Sequence, residues 1–318
     1  MYFHDLVVSN DAGPVAATDG TGDAIKIVAN GGLPGLVRIE RAYLLYAGRS
    51  AVRTVAPNLI DPPSNYLNRL TMRDVSIYGC KGHGFYLKLV ASLDISESWT
   101  TNNHLCGGYL EDCGNGVVQL AAGANGVGLT STTLEGQFVL KTCADIMIQG
   151  GNYEGFTPNT VKNAIVLLGS RGCVVGGNEF DNPRIPQNAG SRSIYLRDGS
   201  YGNTILSNLH ADVDKMVEID NAANDVGNMV LAQACQGGDA NGPGKVVLPT
   251  GGRNFAFPTN LAGGFNDRKG VGLLLPSMPN VTTIDASVVQ NGLLVFDSSD
   301  GKLKLRTGGA WVIVGKQT

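Results

Sequence analysis

The feature that most narrows the fold of this chain is an internal repeat of very short apolar segments. Val37-Arg38-Ile39-Glu40-Arg41-Ala42-Tyr43-Leu44 lies without a gap over Leu70-Thr71-Met72-Arg73-Asp74-Val75-Ser76-Ile77, an offset of 33 residues. Glycine-containing turns then lead to Val52 and Phe85 at the same offset. Further on, an apolar residue, four turn-like residues, a second apolar residue and often an acid recur together. The pattern reads Leu105…Leu110-Glu111, Leu129…Leu134-Glu135, Ile148…Tyr153-Glu154, Val175…Phe180-Asp181 and Ile205…His210-Ala211, with spacings of 24, 19, 27 and 30. A second alternating set falls between these units: Val118-Gln119-Leu120, Ile165-Val166-Leu167, Ile194-Tyr195-Leu196 and Val217-Glu218-Ile219.

Alternation with a period of two marks strands whose every second side chain points inward. Strands this short cannot bury an apolar face alone, so each turn of chain must stack on its neighbours. With 44 Gly among 318 residues, glycine is too dense for helix interiors and suits a chain that turns constantly. The variable spacing excludes solenoids of strict period, and the Leu-x-x-Leu-x-Leu pattern is absent. Asn152, Asn178 and Asn208 recur near the second apolar position, where asparagine tolerates unusual backbone angles and can bond along a stack. The fold expected is all-β, a coil of parallel strands.

A net charge of -3 and the lack of any Lys/Arg-rich run argue against a nucleic-acid partner. No stretch approaches the roughly 18 to 20 apolar residues of a membrane span, and Met1-Tyr2-Phe3-His4-Asp5 does not open a standard signal peptide. Cys80, Cys106, Cys113, Cys143, Cys173 and Cys235 form no CxxC pair, so they read as reduced, buried small hydrophobes. His4, His104 and His210 show no metal-ligand spacing, and His210 stands in an inward apolar slot. No cofactor and no metal are expected.

Gly82-His83-Gly84-Phe85-Tyr86-Leu87, Gly116-Val117-Val118-Gln119-Leu120, Leu134-Glu135-Gly136 and Gly177-Asn178-Glu179-Phe180 resemble the pectate-lyase-like right-handed β-helix superfamily, and more closely its branch in bacteriophage tailspikes. The resemblance covers roughly residues 20 to 245. It implies a right-handed single-stranded parallel β-helix and a protein of the phage tail. That superfamily carries lyases, hydrolases, esterases and pure binders, so the fold does not choose the activity. Gly82-His83-Gly84 also matches a short polygalacturonase motif. The internal alignment sets Ser50 opposite His83, however, and the companion Asn-Thr-Asp and Asp-Asp motifs are missing, so His83 reads as a turn residue.

The C-terminal part changes character. Lys269-Gly270-Val271-Gly272-Leu273-Leu274-Leu275-Pro276, Asn291-Gly292-Leu293-Leu294-Val295-Phe296-Asp297 and Gly309-Ala310-Trp311-Val312 look like a module recurrent in phage tail fibres. Leu293 to Asp297, Lys302 to Arg306 and Ala310 to Val314 read as a three-stranded antiparallel meander separated by glycine turns. A sheet that small is marginal alone, which suits packing on copies of itself in a homotrimer. The expected organisation is an N-terminal lead-in over 1–20, a parallel β-helix over 21–245 and a trimerisation or capping module over 246–318.

The recurring acids are the sharpest chemical feature. If Leu110, Leu134, Tyr153 and Phe180 point inward, the following Glu111, Glu135, Glu154 and Asp181 point out and form one column. Neighbouring coils lie about 4.8 Å apart, a spacing that with its double brackets the carboxyl separations of retaining and inverting glycosidases, about 5 to 5.5 Å and about 6.5 to 9.5 Å. Glu135 and Glu154 form the central catalytic pair expected, with Glu111 and Asp181 next. Trp99, Tyr109, Gln137 and Asn152 supply aromatic and amide contacts for a sugar. The expected function is a tailspike in the virion, joined to other tail proteins, that binds and hydrolyses a bacterial surface polysaccharide, capsule or O-antigen. Non-enzymatic receptor binding and polysaccharide lysis are the alternatives.

Overall fold

The computed structural model of the chain describes residues 1–9, 22–28, 35–55, 66–126, 136–155, 162–181, 190–211, 213–220, 225–231, 233–236, 245–247, 254–256, 277–278, 294–297, 302–307 and 310–313. They fall in two units, Met1–Gly264 and Phe265–Thr318.

Among the described residues the first unit is built of strands alone, wound as a right-handed parallel coil with two sheets along its length. The longer sheet starts at Tyr2–Ser9 and runs through Leu36–Leu45, Arg69–Tyr78, Leu93–Thr101 and Gly114–Gly123, every pair parallel. It then divides into two limbs. Ala144–Gln149, Val174–Gly176, Thr204–Leu206 and Met229–Leu231 continue the first; Asn152–Glu154, Glu179–Asp181, Leu209–Ala211 and Ala234–Gln236 continue the second. The other sheet stacks nine shorter strands, from Ile25–Val28 through Phe85–Lys88, Gly108–Glu111 and Gly136–Lys141 to Lys245–Val247. Within residues 1–20, expected as a lead-in, Tyr2–Ser9 already forms a strand of the coil, and Phe255–Ala256 still pairs with Met229–Leu231 beyond residue 245.

The offset of 33 is the register itself: Val37 pairs with Leu70, Leu44 with Ile77 and Val52 with Phe85. Successive coils set like on like. Ile39, Met72, Ile95, Val118, Ile148, Val175, Ile205 and Val230 form one inward column, each buried. Leu87, Leu110, Leu140, Leu167, Leu196 and Ile219 form a second from the other sheet. Each such side chain is worth about 1.5–3 kcal/mol when buried, which no single coil could collect without the coils above and below it.

The bend between the two limbs of the longer sheet recurs at one place on most coils, carried by a left-handed residue. Asp5, Arg41, Asp74 and Glu97 adopt φ of 51°, 47°, 52° and 51°, and Gly150, Gly177 and Ser207 follow at 62°, 65° and 52°. Buried amides brace the turns. Asn178 Nδ2 donates to Asn208 Oδ1 at 3.1 Å, and Asn208 Nδ2 donates to Gln233 Oε1 at 3.2 Å. Asn203, Asn228 and Asn254 build a parallel ladder. Asn152 is not a rung of either, because Gly151 takes the slot opposite Asn178 and its backbone N–H donates to Asn178 Oδ1 at 3.0 Å. Cys80, Cys106, Cys113, Cys143 and Cys173 are buried free thiols; burial pushes the Cys80 thiol up to about 11. The side chain of Cys235 lies outside the described residues.

One coil differs from the expected phase by half a turn. Tyr153 pairs with Phe180 and Phe180 with His210, as the repeat requires. Leu110 instead sits in the nine-stranded sheet beside Leu140, while Val118 joins Ile148 in the longer one. The apolar–four–apolar spacing occurs in both sheets; the two-residue turn between Glu111 and Gly114 decides the phase, not the strand pattern. Leu134 is outside the described residues.

In the second unit Leu294–Asp297, Lys302–Thr307 and Ala310–Ile313 pair antiparallel in sequence, and Ser277–Met278 adds a parallel strand that the sequence pattern did not show. No helix in the described residues is long and apolar enough to cross a membrane.

Candidate functional site

The second limb of the longer sheet presents one outward face on which four expected site residues meet. Because Tyr153 and Phe180 are pinned inward, their neighbours must point out. Outward positions stack in two columns. Tyr43, Ser76, Trp99, Ala121, Asn152 and Glu179 make the first. Tyr78, Thr101, Gly123, Glu154, Asp181 and Ala211 make the second.

These columns define a notch one coil wide. Trp99 and Thr101 stand on one side, Asn152 and Glu154 on the other, and Ala121 and Gly123 floor it. That coil is also a residue short at the bend, since Ile95 pairs with Val118 but Ser98 with Leu120. Its floor is low for two reasons, small side chains and a tightened corner. Trp99 is 44% exposed and so offers a ring face to solvent. Asn152 Nδ2 donates to Glu154 Oε1 at 3.0 Å, while Asn152 Oδ1 is buried with no hydrogen-bond partner. Asp181 is the direct register partner of Glu154, and Glu179 that of Asn152. Glu154, Glu179 and Asp181 are exposed, and none makes an ion pair among the described residues.

Glu111 does not share this face. It lies in the nine-stranded sheet, for the reason that moves Leu110, and is locked in a polar cluster there. The Tyr86 hydroxyl donates to Glu111 Oε2, and Lys88 and Lys141 donate to Oε1 at 3.2 and 3.3 Å. Burial raises its proton affinity, but these three bonds outweigh it and hold the carboxyl below its ordinary value. Tyr109 belongs to the same cluster, its ring stacked 5.5 Å from Tyr86. Gln137 is buried, its Oε1 receiving Asn125 N at 3.0 Å and Nδ2 at 2.6 Å, so it caps an amide ladder and does not face a groove. Glu135 lies outside the described residues. Among the described residues the expected column of acids keeps Glu154 and Asp181, and Glu179 stands beside them in the neighbouring column.

Arg53, His83 and Tyr86 were not expected at the surface of a site. Their outward column was nonetheless implicit in the register, since Arg53 follows Val52 and Tyr86 follows Phe85. On the first limb, a groove of about 480 Å³ is lined by Gln119, Met147, Gln149, Val174, Gly176 and Leu206. It lies across the bend from Asn152, and none of its lining residues is charged.

Similarity to known proteins is confined to structure: no family model and no curated protein matches the sequence. The fold matches tailspike protein 3 of bacteriophage CBA120 with a TM-score of 0.56 at 12% identity, over 98% of this chain and 54% of that one. It matches the enzymatically active domain of tailspike protein 2 of the same phage with a TM-score of 0.53 at 13% identity, over 81% of this chain and 38% of that one. Full-length tailspike protein 2, from an Escherichia coli O157:H7 bacteriophage, gives 0.52 at 14% identity over 81% and 34%. This chain spans about a third to a half of those proteins, and its fold is a tailspike-like parallel β-helix.

Proposed function

We propose that this chain, a tailspike-like β-helix, is the glycan-binding and glycan-cleaving part of a phage tailspike acting on a bacterial surface polysaccharide. The observation that carries the reading is the notch: an exposed indole, a one-coil gap floored by Ala121 and Gly123, and two register-paired carboxylates at its edge. A pyranose ring resting in the gap stacks its C–H face on Trp99 and bonds a hydroxyl to Asn152. Glu154 and Asp181 sit on strands about 4.8 Å apart, which suits the carboxyl separation of about 5 to 5.5 Å used by retaining hydrolases. One carboxyl protonates the leaving oxygen and the other attacks the anomeric carbon; water then resolves the intermediate. Glu135, next to this coil in sequence, is the further acid of the scheme.

The same exposure of Glu154 and Asp181 also fits a binder that holds the glycan without cutting it. The chain would serve in the virion as a homotrimer joined to other tail proteins, with the C-terminal sheet as its trimerising or capping module. Exposed Val117, Met147, Leu206 and Met229 on the first limb support such packing.

The test is release of oligosaccharides from purified capsule or O-antigen. Glu154→Gln and Asp181→Asn are each expected to lower release by about 10²-fold or more, with glycan binding and melting temperature kept. Trp99→Ala should weaken binding itself. Binding without release from any bound glycan would leave the binder, and unsaturated products would indicate a lyase.

A further inference from the structure

A second constellation lies on the outer face of the nine-stranded sheet and takes no part in the scheme above. Val52 pairs with Phe85 and Phe85 with Gly108, so Arg53, Tyr86 and Tyr109 stack in one outward column on three successive coils. His83, in the turn just before Tyr86, lays its ring 5.7 Å from Tyr86 and 5.0 Å from Tyr109. The Arg53 guanidinium covers Tyr86 at 5.3 Å from the ring centroid.

The charge balance here is uneven. Lys88 and Lys141 share the Glu111 carboxylate, which also accepts from Tyr86. Arg53 has no ion pair among the described residues, and its Nε is buried without a hydrogen-bond acceptor. His83 Nδ1 is likewise buried and unpartnered. Leaving such groups buried and unpaired is costly, more so when one is charged. Two adjacent orphans beside an aromatic wall therefore point to a missing acceptor, and the aromatic rings to what carries it.

We infer that Arg53 and His83, with Tyr86 and Tyr109, form a subsite for a carboxylate-bearing sugar. The guanidinium pairs the carboxylate, the imidazole once protonated at Nδ1 donates a hydrogen bond to it, and the sugar ring lies against the half-buried tyrosines. The polysaccharide reading enters only in choosing a sugar as carrier; nothing depends on cleavage at Glu154 and Asp181. Coupling follows from the geometry. Burial first, and then the charge of Arg53, lower the His83 pKa to about 4. An anion seated on Arg53 removes the second cause, so binding and protonation of His83 favour one another.

The experiment uses the full chain with isotope-labelled histidine, His83→Gln assigning the His83 resonance among the four histidines. Sodium glucuronate, sodium acetate and glucose are titrated separately. Glucuronate should shift the His83 ring saturably and raise its pKa by about one unit, a tenfold change in proton affinity, while glucose does neither. Arg53→Met should abolish the response and Arg53→Lys keep part of it. An unmoved His83 resonance, an equal response to glucose, or a response surviving in Arg53→Met would overturn the subsite. Acetate acting as strongly as glucuronate would overturn the sugar and leave a bare anion site. Glycan cleavage by the same protein is read separately, so failure of one proposal does not imply failure of the other.

Discussion

Mild acid should destabilise this coil through His210, which ends a buried aromatic stack. Its ring lies 5.1 Å from Phe180 with the planes 11° apart, and Phe180 lies 5.4 Å from Tyr153. Nε2 is 2.9 Å from Gln233 Oε1, an acceptor that also receives Asn208, so Nε2 carries the proton; Nδ1 then accepts from the Ser193 hydroxyl at 2.8 Å. Both nitrogens are satisfied in the neutral ring, so the cost of protonation is that of burying the charge. Burial lowers the pKa from 6.5 to about 4, outweighing the opposite effect of the Gln233 bond.

The folded state thus binds the proton less readily than the unfolded chain. Stability from the neutral ring is complete above pH about 6.5 and is lost as pH falls toward 4, in total about 3 kcal/mol. Urea unfolding at pH 7 and pH 4.5, followed by the fluorescence of Trp99 and Trp311, measures it in wild type and His210→Phe. Phenylalanine fills the ring slot but does not titrate. Acid losses from other groups, His83 included, cancel in the comparison, and the orphaned Ser193 and Gln233 shift the variant equally at both pH values. Wild type should lose about 2 to 3 kcal/mol more than the variant over this interval. Equal losses would refute the reasoning.

Asn208→Ala removes donors to Val175 O and Gln233 Oε1 and the acceptor of Asn178 N and Nδ2. About 2–4 kcal/mol of stability should go with them, read as a lower urea midpoint. Gly108 lies between Phe85 and Phe138 on adjacent coils, and a Cβ there would stand 2.6 Å from Phe85 Cε2 and 2.8 Å from Phe138 Cδ2. Gly108→Val should cost about 1–3 kcal/mol by overpacking, and a simultaneous Phe85→Leu should recover part of the loss in thermal melts.

The parallel coil was legible because it is written twice. Alternation of Val37, Ile39, Ala42 and Leu44 against Leu70, Met72, Val75 and Ile77 declares both the strand and its partner, and the structure pairs them residue for residue. The C-terminal meander was legible for a related reason: Ser298 to Gly301 and Thr307 to Gly309 read as turns in the sequence, and the strands on either side pair antiparallel. That Glu154 and Asp181 share one outward column followed from the inward pinning of Tyr153 and Phe180, while Glu135, the partner expected for Glu154, lies outside the described residues. Glu111 went astray because an identical local pattern, apolar residue then acid, serves in either sheet. Gln137 and Asn152 exchanged character because an amide beside a turn looks the same whether it caps a ladder or faces solvent.

By itself, then, the order of residues determined that short strands must stack in parallel, since only neighbours in register can cover such small apolar faces. Which outward residues meet was settled by turn lengths, and those act across coils rather than along them. One residue fewer at a bend, with Ala121 and Gly123 beneath it, makes a notch beside Trp99; a two-residue turn sends Glu111 to Tyr86 and Lys88. Side chains about 20 to 30 positions apart become neighbours only once the coil closes, so contacts between them follow the winding and not the local sequence.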